Sequence, residues 1–150
     1  MLKPLEQWIC DICGNVVEKA DAYVIWRQDE HFNGFDFKII HTTTCDRRTE
    51  YPLSMQLSAF LGHDGLAVLL ANLSAGPIKA HFGDKSGCSI KDMNGFVDFV
   101  RRVQTPYYEE ARRCFGDPEV LDLHANDNEV APYLPENLKA MIEKIQKGTP

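Results

Sequence analysis

Four residues near the N-terminus have the spacing of metal ligands. Cys10 and Cys13 form a Cys-x-x-Cys motif, and after 27 intervening residues His41 and Cys45 form a His-x-x-x-Cys motif. Two residues between thiolates allow one tight turn to present both sulfurs to a single ion. Gly14 gives the backbone the conformational freedom to leave that turn. Zn²⁺ prefers four such ligands in a tetrahedron. We therefore predict one bound zinc at these four residues.

The segment between the two motifs predicts a β-hairpin. Residues 23–26 and 35–40 are rich in aromatic and β-branched side chains, with Asn33-Gly34 between them. A hairpin would bring the second motif back to the first. Alternation along the second strand puts four residues on one face: Phe35, Phe37, Ile39 and His41. His31, the rival nitrogen ligand, lies in the polar hairpin tip and is expected to be solvated.

Residues 10–45 resemble a treble-clef zinc finger, and in particular one half of a LIM domain. The resemblance rests on Cys10, Cys13, His41 and Cys45, and it covers the first fifty residues, about a third of the chain. It implies a zinc knuckle, a hairpin and a helix that starts after the last ligand. The sequence has no second Cys-x-x-Cys motif, which excludes a complete LIM domain with two zinc ions.

The predicted zinc is structural. A catalytic zinc keeps one coordination position open, whereas four ligands here complete the tetrahedron. The sequence contains neither the His-Glu-x-x-His motif nor the zinc-deaminase signature. Two alternatives are less favoured: a redox Cys-x-x-Cys, because the motif precedes a hairpin, and four unrelated buried side chains. Cys88 and Cys114 are interpreted as ordinary, partly buried thiols.

Beyond residue 52 the apolar residues recur at helical spacing, which predicts a module at 1–52 and a helical domain at 53–150, packed together as one unit. The fold class is therefore α+β: a small zinc-bound, treble-clef-like β-hairpin module packed on a four- to five-helix C-terminal part. The expected helix starts are Ser54, Asp64, Asp92, Thr105-Pro106 and Leu134-Pro135. The intervals 78–90 and 117–129 are expected to be an irregular loop or short strand and a polar acidic stretch.

Two groups of residues are candidates for partner binding. Adjacent arginines and tyrosines could converge as a basic aromatic patch suited to an acidic partner or to single-stranded nucleic acid: Arg101, Arg102, Tyr107, Tyr108, Arg112 and Arg113. The alternative is local pairing with Asp98, Glu109 and Glu110. Residues 117–136 contain six carboxylates and no lysine or arginine, so Asp122, Asp127 and Glu129 could face a basic partner. The alternative is a solvated loop.

Composition narrows the functional classes. A net charge of −6 disfavours non-specific nucleic-acid binding, and no apolar run is long enough to span a membrane. The N-terminal residues lack the apolar core of a signal peptide, so we expect a cytoplasmic location. The favoured function is non-catalytic protein binding by a small regulator, adaptor or immunity-type protein. The alternative is a nucleic-acid-binding regulator that uses the hairpin tip and arginine pairs, and an enzyme is less favoured.

Overall fold

The computed structural model describes residues 1–47, 49–83 and 89–148. The strands in this part of the chain are β1 (Gln7–Ile9), β2 (Val16–Glu18), β3 (Ala22–Gln28), β4 (Asn33–His41), β5 (Leu53–Gln56) and β6 (Ser89–Ile90). The helices are α1 (Gly62–Leu73), α2 (Gly76–His81), α3 (Met93–Gln104), α4 (Tyr108–Ala111), α5 (Pro118–Leu123) and α6 (Pro135–Gly148). This mixture of helices and small sheets confirms the predicted α+β class.

The strands form two sheets. β1 and β2 pair antiparallel and carry the Cys10–Cys13 turn between them. The predicted hairpin is confirmed, because β3 and β4 pair antiparallel at the centre of a sheet with the order β5-β3-β4-β6. β5 extends this sheet antiparallel to β3, and β6 adds to the other edge parallel to β4.

A bulge interrupts the predicted alternation along β4. The register shifts between Ile25 and Arg27, so that Asp36 and Phe37 together lie opposite Trp26. Asp36 takes a φ of 56°, the left-handed conformation that an extra residue in a strand often adopts. Phe37 stacks on Trp26, with ring centroids 5.5 Å apart. Phe35 therefore does not continue the face of Phe37, Ile39 and His41 as strict alternation predicts.

The helix predicted from Ser54 is wrong. Ser54 lies inside β5, which is followed by a 3-10 turn at Leu57–Phe60. The edge of β3 offers unpaired backbone groups to this segment, and pairing with them outweighs a weak helical pattern. The 3-10 turn still buries Leu57 and Phe60 completely, so the apolar residues that indicated a helix enter the core by another backbone path.

The next helix starts earlier than predicted and buries only one of its leucines. α1 begins at Gly62, and Asp64 lies in its first turn instead of capping it. Leu69 is buried, but the three other leucines at helical spacing in α1 are 39–55% exposed: Leu66, Leu70 and Leu73. The interval 78–90 was predicted to be a loop or short strand, whereas residues 76–81 form α2 and residues 89–90 form β6. Residues 84–88, with Cys88, lie outside the described residues.

Gly65 explains why α1 packs so closely on the preceding turn. A Cβ atom built on Gly65 would lie 2.0 Å from the carbonyl carbon of Phe60, which is fixed backbone. We expect Gly65→Ala to lower the free energy of unfolding by about 2–3 kcal/mol, because this clash outweighs the roughly 1 kcal/mol that alanine contributes in a helix. Urea unfolding measures the difference. Gly116→Ala is the control, because a Cβ there meets nothing within 4 Å, and equal values for the two variants would contradict the packing argument.

The third predicted helix is confirmed as α3. The carboxylate of Asp92 accepts a hydrogen bond from the Gly95 N–H at 3.1 Å, so Asp92 is the N-cap. Phe96 and Val103 are buried, whereas Met93 is 53% exposed. The helix also buries Phe99 and Arg102, which the apolar pattern did not include.

The fourth helix starts later than predicted and is short. Thr105 ends α3 with its N–H bonded to the Arg101 carbonyl, and Tyr107 takes a φ of 69°, so α4 begins only at Tyr108. It lasts one turn and continues as the 3-10 turn Arg112–Cys114. Within the predicted acidic stretch, residues 118–123 form α5, capped by Asp117 and anchored by the buried Val120. α6 begins at Pro135 as predicted.

Two apolar cores result. The larger one lies between the four-stranded sheet, the β1–β2 ribbon, α1 and α3, and the smaller one lies between α4, α5 and α6. The boundary predicted at residue 52 falls just before β5, which joins the larger sheet, and the division into two modules stays a prediction. Within the three described ranges, no helix has the length and apolarity needed to cross a membrane.

Candidate metal centre

The four predicted metal ligands lie together. One ligand atom from each of Cys10, Cys13, His41 and Cys45 lies within 4.8 Å of all the others. The Nδ1 atom of His41 is 3.5 Å from the Cys13 sulfur and 3.9 Å from the Cys45 sulfur. Cys10 and Cys45 are buried, while Cys13 is exposed. This group of three thiols and one imidazole can hold a metal ion.

The Cys10–Cys13 turn has the geometry that its sequence predicts. Gly14 has a φ of 74°, a conformation that glycine adopts without strain. Its N–H donates to the Cys10 carbonyl at 2.9 Å, and the Cys10 N–H donates to the Asn15 carbonyl at 2.8 Å. These bonds close the turn between β1 and β2, so that both thiols point to the same side.

His41 and Cys45 reach the centre from the end of β4. The Cys45 N–H donates to the His41 carbonyl at 3.2 Å, which closes a single turn between them. The Nε2 atom of His41 lies 3.0 Å from the Val16 carbonyl, so that Nε2 donates to this oxygen and Nδ1 faces the sulfurs, where it can ligate a metal ion once it is unprotonated. The β1–β2 ribbon thereby fixes the orientation of the imidazole.

The protonation state of Cys10 suits metal binding. Burial raises the pKa of its thiol, but hydrogen bonds from the backbone of Cys13 and Ile12, and from His41, outweigh that effect and lower the pKa to about 6. Burial lowers the pKa of His41, but its hydrogen bonds with Cys10 and with the Val16 backbone outweigh burial. The pKa of His41 is therefore raised above its ordinary value. Burial raises the pKa of Cys45. The lowered pKa favours the thiolate form of Cys10, which is the form that ligates metals.

Asp11, inside the Cys10–Cys13 turn, connects the centre to the larger core. Its Oδ2 atom accepts a hydrogen bond from the Ile39 N–H and another from Nη1 of Arg102, each at 2.7 Å. The Asp11 N–H donates in turn to the Ile39 carbonyl at 2.8 Å. The turn is thus held against β4 on one side and against α3 on the other.

Arg102 is the buried end of this connection. Its side chain is 3% exposed and pairs with Glu109 through two bonds, Nε to Oε2 at 2.7 Å and Nη2 to Oε1 at 2.9 Å. Burial lowers the pKa of Arg102, but the Glu109 and Asp11 carboxylates outweigh this and raise it above the ordinary value. Glu109 also accepts from the Ile9 N–H, and the Trp8 indole donates to the Arg102 carbonyl. We call Asp11, Arg102 and Glu109 the buttress.

Sequence reasoning missed the buttress as part of the centre. The proximity of Arg102 and Glu109 along the chain indicated local pairing, which the structure shows. Nothing in the sequence indicated that Asp11 would join them across 91 residues.

The structure brings Arg101, Tyr108 and Arg112 of the predicted basic aromatic patch together around Asp98 and Tyr133, and the use of this group by a partner stays a prediction. Arg102 and Tyr108 are each 3% exposed, which corrects the surface role predicted for these two residues. Burial and the hydrogen bond to Asp98 raise the pKa of Tyr108. Arg112 binds the same Asp98 carboxylate as Tyr108, and Arg101 lies over the Tyr133 ring, which contacts Tyr108. Tyr107 lies near Lys139, and Arg113 is exposed.

The remaining candidates lie apart from the metal centre. Asp122, Asp127 and Glu129 are exposed, and their use by a partner stays a prediction. His31 is 78% exposed and lies 3.5 Å from Glu30, in agreement with the predicted solvated tip. Cys114 is a partly buried free thiol, as predicted.

Comparison of the chain with protein-family models, with curated proteins and with solved structures finds no match. The functional assignment therefore depends on the chemistry of the site itself. That chemistry is a Cys3His group suited to a soft or borderline metal ion.

Proposed function

We propose that Cys10, Cys13, His41 and Cys45 hold one Zn²⁺ as a structural site. Three thiolates and an imidazole are the ligands that zinc prefers in structural sites, and four of them complete its tetrahedral coordination. Such an ion contributes on the order of 10 kcal/mol to folding at neutral pH. That contribution would hold the short β1–β2 ribbon, with three residues in each strand, against the end of β4.

The surroundings of the centre support a structural role over a catalytic one. The carboxylate inside the turn, on Asp11, is already engaged by Ile39 and Arg102 and is not available as a general base. Nε2 of His41 is likewise committed to the Val16 carbonyl. A catalytic zinc needs an open position and a free acid or base, and this arrangement offers neither.

The proposed site resembles a treble-clef zinc finger in two of its three parts, the knuckle and the hairpin. The knuckle is the turn between β1 and β2, and the hairpin is β3–β4. The third part differs: a helix is expected directly after the last ligand, but in the described residues β5 and a 3-10 turn follow Cys45. The pairing of β5 with β3 accounts for this difference.

The function that we propose for the whole chain is non-catalytic protein binding, as a small cytoplasmic regulator, adaptor or immunity-type protein. One observation carries this proposal: α1 and α5 each expose more than one large apolar side chain. Leu66, Leu70 and Leu73 have the spacing of one face of α1, and Leu121 and Leu123 on α5 are 58% and 55% exposed. Clusters of this kind mark surfaces that bind other proteins.

Nucleic-acid binding has less support. The arginine pairs that suggested it are partly used inside the fold, since Arg102 belongs to the buttress and Arg112 binds Asp98 at 2.9 Å. With a net charge of −6, the surface also repels phosphates overall.

Photo-cross-linking tests the proposed function. Benzoylphenylalanine placed at Leu70 or at Leu121 should form a discrete cross-linked product with another protein in cells that express the chain, because both side chains are exposed. The same group at Ala140, an exposed position on α6, is the control. A product at Leu70 or Leu121 but not at Ala140 would support protein binding. No product at either position, or a product only with nucleic acid, would contradict it.

A further inference from the structure

One sulfur of the metal centre is open to solvent, and the other two are not. Cys13 is exposed, whereas Cys10 and Cys45 are 1% and 5% exposed. A small solute that approaches the centre from outside therefore meets the Cys13 sulfur before it can reach the other two. The first thiol to react with such a solute is expected to be Cys13.

The Cys10–Cys13 turn holds a second thiol beside the exposed one. The Gly14 N–H donates to the Cys10 carbonyl at 2.9 Å and closes the turn, and the sulfurs of Cys10 and Cys13 lie within 4.8 Å of each other. A disulfide needs two sulfurs about 2.05 Å apart. Because both cysteines belong to one turn, rotation of their side chains can close the gap without moving a second element. Cys45 follows the end of β4, so a bond to it would have to join two separate elements.

The centre also supplies the reactive form of the thiols. A thiol that ligates a metal ion is deprotonated, and the thiolate is the form that peroxides oxidise. The Cys13 thiolate would attack one oxygen of hydrogen peroxide, which breaks the O–O bond, leaves a sulfenic acid on Cys13 and releases hydroxide. The Cys10 thiolate would then attack the Cys13 sulfur, which forms the disulfide and releases a second hydroxide. Each sulfur gives up one electron, and the peroxide takes up both.

We propose that Cys13 and Cys10 form a reversible oxidation site, at which hydrogen peroxide converts two of the four metal ligands into a disulfide and so releases the ion. The proposal rests on the structural zinc proposed above and adds the regulation of that site. Once the two thiolates are consumed, only His41 and Cys45 remain, too few to complete the tetrahedron of a structural zinc. A dithiol reductant reverses the reaction by thiol–disulfide exchange, after which the four ligands can bind zinc again.

Oxidation would affect more than the turn itself, because Asp11 lies between the two cysteines. Its carboxylate accepts hydrogen bonds from the Ile39 N–H and from Nη1 of Arg102, each at 2.7 Å. Release of the ion also removes the connection that it makes between this turn and the end of β4. We therefore expect the oxidised chain to unfold at a lower temperature than the reduced, zinc-bound chain.

Peroxide treatment of the full, zinc-loaded chain tests this proposal. Released zinc is followed with a chromogenic chelator too weak to strip the untreated protein, and the disulfide is mapped by mass spectrometry of proteolytic peptides. We expect one zinc to be released for each Cys10–Cys13 disulfide formed, and dithiothreitol with added zinc to restore the starting state. Zinc that stays bound while peroxide is consumed, or a disulfide that contains Cys45, would overturn the proposal.

Two variants that exchange one ligand for another separate the role of Cys13 from that of the centre as a whole. Cys13→His and Cys45→His each leave two thiols and two imidazoles, a ligand set that zinc also accepts. We expect Cys13→His to release zinc about ten-fold more slowly, because the exposed thiol is gone, and Cys45→His to release it at least as fast as the unsubstituted chain. Equal slowing in the two variants would overturn the assignment to Cys13.

Cys114→Ser is the control for oxidation elsewhere. Cys114 is a partly buried free thiol outside the Cys3His group, so its replacement should leave the rate of zinc release unchanged. Loss of peroxide sensitivity in Cys114→Ser would show that the reaction begins outside the centre and would overturn the proposal.

The two proposals fail in different ways. If the isolated, reduced chain holds no zinc, the proposed structural site is wrong, and the oxidation proposal is wrong with it. If the chain holds one zinc and peroxide does not release it, only the oxidation proposal is wrong and the structural site stands.

Discussion

Cys13→Ser is expected to lower the free energy of unfolding by about 4 kcal/mol or more, although the side chain is exposed. An ordinary surface substitution changes stability by less than about 0.5 kcal/mol. A ligand is different, because its loss removes one of four bonds to an ion that stabilises only the folded chain. Thermal unfolding followed by circular dichroism measures the effect, and Cys13 is more informative than the buried Cys10, where lost packing would also destabilise.

Cys114→Ser is the matched control for this prediction. Cys114 is also a free thiol and is more buried than Cys13, but it lies outside the Cys3His group. We expect its replacement to change stability by about 1 kcal/mol or less. If Cys13→Ser unfolds at the same temperature as the unsubstituted chain, Cys13 ligates no metal.

Arg102→Met is expected to cost about 3–5 kcal/mol, because it leaves Glu109 charged and buried without its partner. Asp11 loses a hydrogen bond in the same variant, so the affinity of the centre for zinc should also fall, roughly ten-fold as for other residues that hold metal ligands in place. Urea unfolding measures the first effect, and competition with a chromogenic chelator measures the second.

The comparison variant is Arg112→Met. Arg112 also binds a carboxylate, Asp98, at 2.9 Å, but both side chains are about a third exposed, and such pairs contribute about 1 kcal/mol or less. Arg112→Met should leave the zinc affinity unchanged. Equal losses of stability in the two variants, with equal zinc affinity, would show that the buttress does not support the centre.

The sequence predicted the features that depend on local spacing. Cys-x-x-Cys followed by glycine determines the turn at Cys10–Cys13, and aromatic and β-branched residues around Asn33-Gly34 determine the hairpin. The Asp92 cap and the start of α6 at Pro135 are local signals of the same kind. At these positions the local signal and the tertiary contacts favour the same backbone path.

The features that the sequence did not predict depend on distant partners. Ser54 joins β3 because that strand has an open edge, and only the folded sheet provides one. Gly65 brings α1 so close to Phe60 that the leucines beside Leu69 stay outside the core. Arg102 was predicted to lie in a surface patch. Its buried position on α3 is set by contacts with Trp8, Asp11 and Glu109, which form only when the chain folds.

The central claim is that the Cys3His group holds a structural zinc, and elemental analysis of the untagged protein tests it most directly. We predict one zinc per chain, retained through gel filtration, and its release together with unfolding when a strong chelator is added. Protein that is folded, contains no metal and is unaffected by the chelator would contradict the claim.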